Sequence, residues 1–276
     1  MRPPLSYHKQ LDRNDTTDLG WRIQQLRMRR GLQQKALARL ANVDAAFLNR
    51  MERGRSRRSK PKPETIHRLL NALDATPAER EAVFHVELLP PSAEEVRACV
   101  AEIQVEYEHA PEPVVLVDDR WNRWYINTLG RRMFWLEDDE YQRCLGLHTL
   151  GAFVDPEQSL YSRYSEEHRE FHFAQRVITF KAFFAAQQFD TWYLAVEDYL
   201  KRFALGRRVW EHPETYAPPT FMFSQEVTFT GPEGQVYRLT AQADILLRTP
   251  RFMPVLLRPR DEETRSLLAA LHAAGA

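Results

Sequence analysis

His168 and His172 stand four residues apart, a spacing that puts two imidazoles on one face of a helix. Such a pair can bind zinc, but the metalloprotease form needs Glu directly after the first His, and Arg169 occupies that place. The plainer reading is two surface or hydrogen-bonded histidines. Cys99 and Cys144 are far apart and lack metal-ligand spacing, so they read as reduced thiols. No Gly-rich phosphate loop and no Gly-x-Ser-x-Gly elbow is present. The chain is therefore not read as an enzyme, and neither a metal nor a cofactor is assigned. Two other groups stand out. One is a basic run, Arg55, Arg57, Arg58, Lys60 and Lys62; the other is an aromatic run, Phe171, Phe173, Phe180, Phe183, Phe184, Phe189, Trp192 and Tyr193.

The element that positions the basic run is the stretch before it, residues 31–54. Leu37, Ala38, Ala41, Leu48 and Met51 recur at helical spacing and can share one small core. Asn42 and Val43 form a tight turn between two short helices, since Asn tolerates a left-handed backbone at modest cost. Asp44 can cap the second helix by accepting from its free amides. Ala38 has to be small for the helices to approach.

Arg27, Gly31-Leu32-Gln33-Gln34, Leu37-Ala38, Asn42-Val43 and Leu48-x-x-x-Glu52-x-Gly54 together resemble the XRE-type, Cro and lambda-repressor-like, helix-turn-helix domains. The resemblance implies a structural pair between Arg27 and Glu52, and a recognition helix with Ala45, Ala46, Asn49 and Arg50 at its exposed early positions, followed by Arg53. Gln34 would touch a phosphate or a base. Asn49 would read adenine, Arg50 guanine, and the two alanines would offer methyl contacts. Beside such a helix, Arg55, Arg57 and Arg58 are placed to meet phosphates rather than to serve only as a solvated loop.

The 276 residues are 43% hydrophobic and 28% charged, the composition of a globular chain of about two domains. The formal net charge is zero, but residues 1–80 hold 18 Lys and Arg against 8 Asp and Glu. A basic head on an acidic body fits a nucleic-acid-binding module joined to something that does not touch DNA. No uncharged apolar run approaches the ~18 residues of a membrane span, and the polar start does not read as a signal peptide, so a cytoplasmic protein with no membrane partner is expected.

Residues 1–17 read as a flexible arm, 18–90 as the helix-turn-helix domain, 91–110 as a connecting helix and 111–276 as a second domain. Helices are expected at 19–30, from Pro63-Glu64 to 73, after the capping boxes at Thr76 and Ser92, and at 261–274. Strands are expected at 113–118, 121–127, 221–230, 236–247 and 252–257, with a hairpin turn at 231–234. Two strands, a helical segment and three antiparallel strands form the order of a PAS-like domain with helical insertions, so the fold class is α+β.

Thr76-Pro77-Ala78-Glu79-Arg80, Asn127 ahead of a short helix, and Phe203 with Trp210 and His212 then resemble the MmyB-like regulators. That resemblance implies fatty-acid-like ligands. It is looser than the first, because residues 155–200 form a long helical insert and the stretch at 171–184 is unusually aromatic. Haem-type sensing would need an axial ligand, for which His148 is conceivable without a supporting motif. An apolar cavity lined by Phe180, Phe184, Phe223, Phe229, Tyr237 and Leu239 is expected, able to bury a chain of about 14–18 carbons.

The sequence thus reads as a regulator that binds a double-stranded DNA operator as a homodimer and senses a small apolar ligand. The helices at 76–107 would couple the two activities. The alternatives are a second domain that is only a dimerisation scaffold, and an enzyme built on the two histidines.

Overall fold

The computed structural model describes residues 19–54, 61–85, 89–218, 224–244, 246 and 248–274. The expected arm at 1–17, the arginines at 55, 57 and 58, and Phe223 lie outside the described residues. The chain forms two compact units. One holds the described residues as far as 85 together with Phe184–Ala195; the other holds Leu89–Phe183 and the chain from Val196 onward.

The first unit is helical: α1 (Leu19–Arg29), α2 (Gln34–Leu40), α3 (Ala45–Glu52), α4 (Pro63–Ala72) and α5 (Pro77–Phe84). Ile23, Leu26, Leu37, Leu48, Met51, Ile66, Leu69 and Leu70 fill its core at helical spacings. Gly20 sits where α1 meets α3, and a methyl group there would lie 2.0 Å from the Met51 carbonyl oxygen. Asn42 has φ 51°, and the Val43 amide donates to the Ala38 carbonyl at 2.9 Å, closing the turn. Thr76 and Glu79 complete the capping box that opens α5.

Two features of this unit have no signature in the local pattern. Phe189 is fully buried in the same core. Arg22 on α1 is also fully buried; it donates to the Ala82 carbonyl at 2.7 Å and to Asp190 Oδ1 at 2.8 Å. The segment Phe184–Ala195 thus supplies an apolar plug and a counter-ion.

The second unit runs α6 (Ala93–Tyr107), β1 (Val114–Asp118), β2 (Arg123–Ile126), α7 (Thr128–Met133), α8 (Asp138–Cys144), α9 (Glu166–Phe183), the end of α10 (Thr191–Leu200), α11 (Ala204–Glu211), β3 (Ser224–Thr230), β4 (Val236–Ala243), β5 (Phe252–Pro259) and α12 (Glu262–Ala273). The strands form one antiparallel sheet in the order β2-β1-β5-β4-β3. Asn127 ties its start together: Oδ1 accepts from the Val114 and Gly130 amides at 2.9 Å, while Nδ2 donates to the carbonyls of Tyr107 and Glu112 at 3.0 Å.

Period-two alternation separates the two sheet faces. Leu116, Tyr125 and Phe252 pack against Val96, Cys99 and Ile103 of α6. Val227, Phe229, Leu239, Ala241 and Leu257 share a second cluster with Phe134, Leu160 and Leu268.

The Arg22–Asp190 pair generates a stability prediction. Asp190→Ala leaves a buried guanidinium without its carboxylate and should cost about 3–5 kcal/mol in urea unfolding of the full chain. Asp190→Asn keeps an acceptor and should cost less. A change below about 0.5 kcal/mol for the alanine variant, the size of an ordinary surface substitution, would show that Arg22 finds equivalent partners elsewhere.

Candidate functional site

The helix-turn-helix face is built around one carboxylate. Glu52 on α3 is 4% exposed and takes Arg27 in a fork, Nε to Oε1 at 2.8 Å and Nη2 to Oε2 at 2.9 Å. Arg27 Nη1 donates to the Leu32 carbonyl at 2.6 Å. Gln34 Nε2 donates to Glu52 Oε2 at 2.8 Å. Residues from α1, α2 and α3 therefore converge on a buried, fully used carboxylate, an arrangement that fixes helix orientation. Gln34, expected at a phosphate or a base, gives its amide nitrogen to Glu52 and stays partly exposed.

Asp44 Oδ1 accepts from the Phe47 amide at 2.7 Å and caps α3. Leu48 and Met51 point into the core, which leaves Ala45, Ala46, Arg50 and Arg53 exposed and Asn49 half-buried. The exposed face of α3 is small and methyl-bearing at its start and cationic at its end.

The second unit holds a partly open cavity of about 110 Å³. Its floor is the sheet face carrying Val115, Val117, Val227, Phe229, Ala241, Ala243, Met253, Val255 and Leu257. Ala241 pairs with Gln225 and Leu257, and Ala243 with Val255, so the two small side chains on β4 leave the space above the sheet. Two arginines, Arg123 of β2 and Arg176 of α9, join the wall, with Tyr164 and Gln225.

Of the expected lining, the cavity includes Phe229 but not four others. Phe180 stands behind the wall, against Trp121, His148 and Trp210 at ring distances of 5.5, 5.3 and 5.9 Å. Phe184 lies beyond the end of α9 and packs on Trp192 in the first unit, with centroids 5.0 Å apart. Tyr237 lies against Trp135, and Leu239 shares a cluster with Leu268 of α12, so that end of the sheet face is already covered. One helical turn between Phe180 and Phe184 could not reveal that the helix stops between them. The arginines were missed because nothing in the spacing of Arg123 or Arg176 marks an inward charge.

An apolar cavity of ~150 Å³ takes a benzene ring. The cavity here is of that order, so a chain of about 14–18 carbons requires its walls to move.

His168 and His172 stack with centroids 5.9 Å apart. His172 is buried, and neither ring nitrogen has a hydrogen-bond partner. Burial, with Arg176 and His168 nearby, pushes its pKa down to about 4. Among the described residues no group of three or more His, Cys, Asp or Glu could hold a metal ion. His148 accepts from the Leu150 amide at 3.2 Å through Nδ1, and burial, together with Arg123, lowers its pKa to about 3. Among the described residues no helix is long and apolar enough to cross a membrane.

Residues 18–83 match the family described as "Helix-turn-helix domain", a DNA-binding fold. No curated protein matches the sequence. One solved structure, described as "Structure of an RNA-binding Light-Oxygen-Voltage Receptor", is similar at 9% identity, covering 94% of this chain and 63% of that one with a TM-score of 0.26. The chain spans less than two thirds of that neighbour, and a likeness of this degree bears on neither the fold nor the function of this chain.

The two buried histidines generate a pH prediction. Their folded pKa values, about 4 and about 3, lie below the ordinary value of 6.5. The unfolded chain therefore binds more protons as pH falls below about 6.5, and stability is lost there. Each histidine should contribute a slope of up to about 1.4 kcal/mol per pH unit down to its folded pKa. Urea unfolding at pH 7, 6 and 5 measures the slope. His172→Phe should flatten it, whereas an unchanged slope would place the proton uptake elsewhere.

Proposed function

We propose that the chain is a transcription regulator whose helix-turn-helix unit binds an operator as a homodimer and whose second unit senses a small apolar ligand. The observation that carries the sensing half is the cavity over the sheet, walled by apolar side chains with a few polar groups, the usual make-up of a ligand site. The strand order 2-1-5-4-3 fits a PAS-like domain, and Asn127, one of the residues behind the resemblance to MmyB-like regulators, caps the short helix α7. A ligand of fatty-acid type agrees with the apolar walls, in a shorter chain or with the walls displaced.

The DNA half rests on the matched helix-turn-helix fold and on the face of α3. Arg50 reads guanine and Asn49 adenine in the major groove, with Ala45 and Ala46 against methyl groups and Arg53 near the backbone. Arg55, Arg57 and Arg58 complete the phosphate contacts. Gln34 touches a phosphate or a base from the start of α2 while its amide nitrogen holds Glu52.

A ligand changes operator affinity only by preferring one arrangement of the protein over another. Two stretches of chain can carry that preference. One is the pair of helices α5 and α6. The other is α9, which carries Arg176 on the cavity wall and runs directly into the segment that supplies Phe189 and Asp190.

An operator selected from random duplexes gives the test. Arg50→Ala should weaken the selected site by about 1–3 kcal/mol and relax preference at one base pair, while binding to random DNA stays unchanged. Equal losses on both would make Arg50 a phosphate contact. Ala241→Leu fills the cavity; it should preserve operator binding and remove any effect of extracted or added ligand on it. If denaturing extraction and mass spectrometry find no small molecule, and no apolar ligand shifts operator affinity, the second unit is a scaffold.

A further inference from the structure

The cavity over the sheet has one buried acceptor with nothing to accept from. Gln225 of β3 lines it, on the same strand face as Val227 and Phe229 and opposite the small Ala241. The residue is 6% exposed, and its Oε1 is buried without a partner among the described residues. Arg123 and Arg176 belong to the same wall, yet neither donates to that oxygen. Leaving a buried carbonyl oxygen unmet is costly, so such groups are rare and mark places where a partner is expected.

The direction of the amide is set by α9. Thr179 is buried, and its hydroxyl donates its single hydrogen to the Gln175 carbonyl, one turn back, at 2.9 Å. That hydroxyl can only accept from any further neighbour. Gln225 Nε2 donates to it. The opposite orientation of the amide would set two oxygens with no hydrogen between them face to face. Oε1 is therefore the group left over, and what it needs is an N–H or an O–H.

We propose that this cavity binds a neutral, ring-sized molecule with one N–H or O–H donor, a phenol or an N–H heteroaromatic, and that Gln225 is the residue that selects it. This rests on the reading of the second unit as a sensor and names the polar group its ligand must carry. The donor meets Gln225 Oε1, while the ring lies over Ala241 and Ala243, where the floor is lowest. A cavity of about 110 Å³ sets the size class at roughly one ring. The two guanidiniums on the wall favour an aromatic face over an aliphatic chain.

The test uses the full chain, freed of bound small molecules, in calorimetric titrations at neutral pH with phenol, toluene, benzaldehyde and benzoate. Phenol carries a neutral donor, benzaldehyde only an acceptor, toluene neither, and benzoate a charge. Phenol should bind at least about 5-fold tighter than toluene or benzaldehyde, the size of one neutral hydrogen bond. Gln225→Leu should remove that preference and leave toluene within about 3-fold. Thr179→Val frees the amide to turn, so benzaldehyde should then approach phenol in affinity; a glutamine that only packs would show no such exchange. This second variant also serves should Gln225→Leu misfold. Equal binding of phenol and toluene to the wild type means that solvent already meets Gln225; it overturns the donor proposal and leaves the sensor standing. Benzoate binding tighter than phenol places recognition at the arginines and overturns it as well. Failure of every compound to bind overturns both readings.

Discussion

A guanidinium with no exposed surface must find all its partners inside the protein. Arg22 places its two terminal nitrogens by reaching the end of α5 and a carboxylate that arrives far later in the chain, while its Nε stays without a partner. This requirement shapes the first unit more than any apolar contact, because hydrophobic packing is tolerant and an unmet buried charge is not. The helix-turn-helix repeats the principle on a smaller scale. Glu52 collects Arg27 and Gln34, so α3 is oriented by directional bonds as well as by Leu48 and Met51. The recognition face is then presented by a framework whose polar groups are used up within the protein.

In the second unit the decisive choice is of small residues. An antiparallel sheet covered on both faces would ordinarily be filled with branched and aromatic side chains. Here the end of β4 carries Ala241 and Ala243, flanked by Val255 and Leu257 on one neighbour and Gln225 on the other. The floor is low where the flanking strands are high, and α9 lays Arg176 against the resulting space. Shape and charge thus come from different elements, the sheet giving the first and the helix the second.

Local chemistry was legible in the sequence and long-range chemistry was not. Capping at Asp44, Thr76 and Ser92, the left-handed Asn42 and the alternation of β3 and β4 depend on neighbours within a few residues, and their spacing shows them directly. The inward face of the sheet was readable from period two, which is why Phe229 reaches the cavity. Covering by α12 and Trp135 is a tertiary fact, so Tyr237 and Leu239 were misplaced. The aromatic run at 171–193 looked like one surface because composition does not show where a helix ends. It is divided between two cores: Phe173 and Phe180 serve one, Phe189 the other. Inward arginines carry no periodic signature, and basic residues at helical spacing otherwise read as solvated.

Because Phe189 and Asp190 belong to the core that α1 to α5 begin, that core is discontinuous along the chain. At ~5–20 residues per second, synthesis from Leu88 to Asp190 takes about 5–20 s. During that interval the nascent helices have left the ribosome with Arg22 still lacking its counter-ion, and they complete their packing only once most of the β1–β2 and α9 region has been made. The DNA-binding unit of each molecule therefore matures after much of its second unit has been translated, so a chain arrested early on the ribosome lacks a finished reading head.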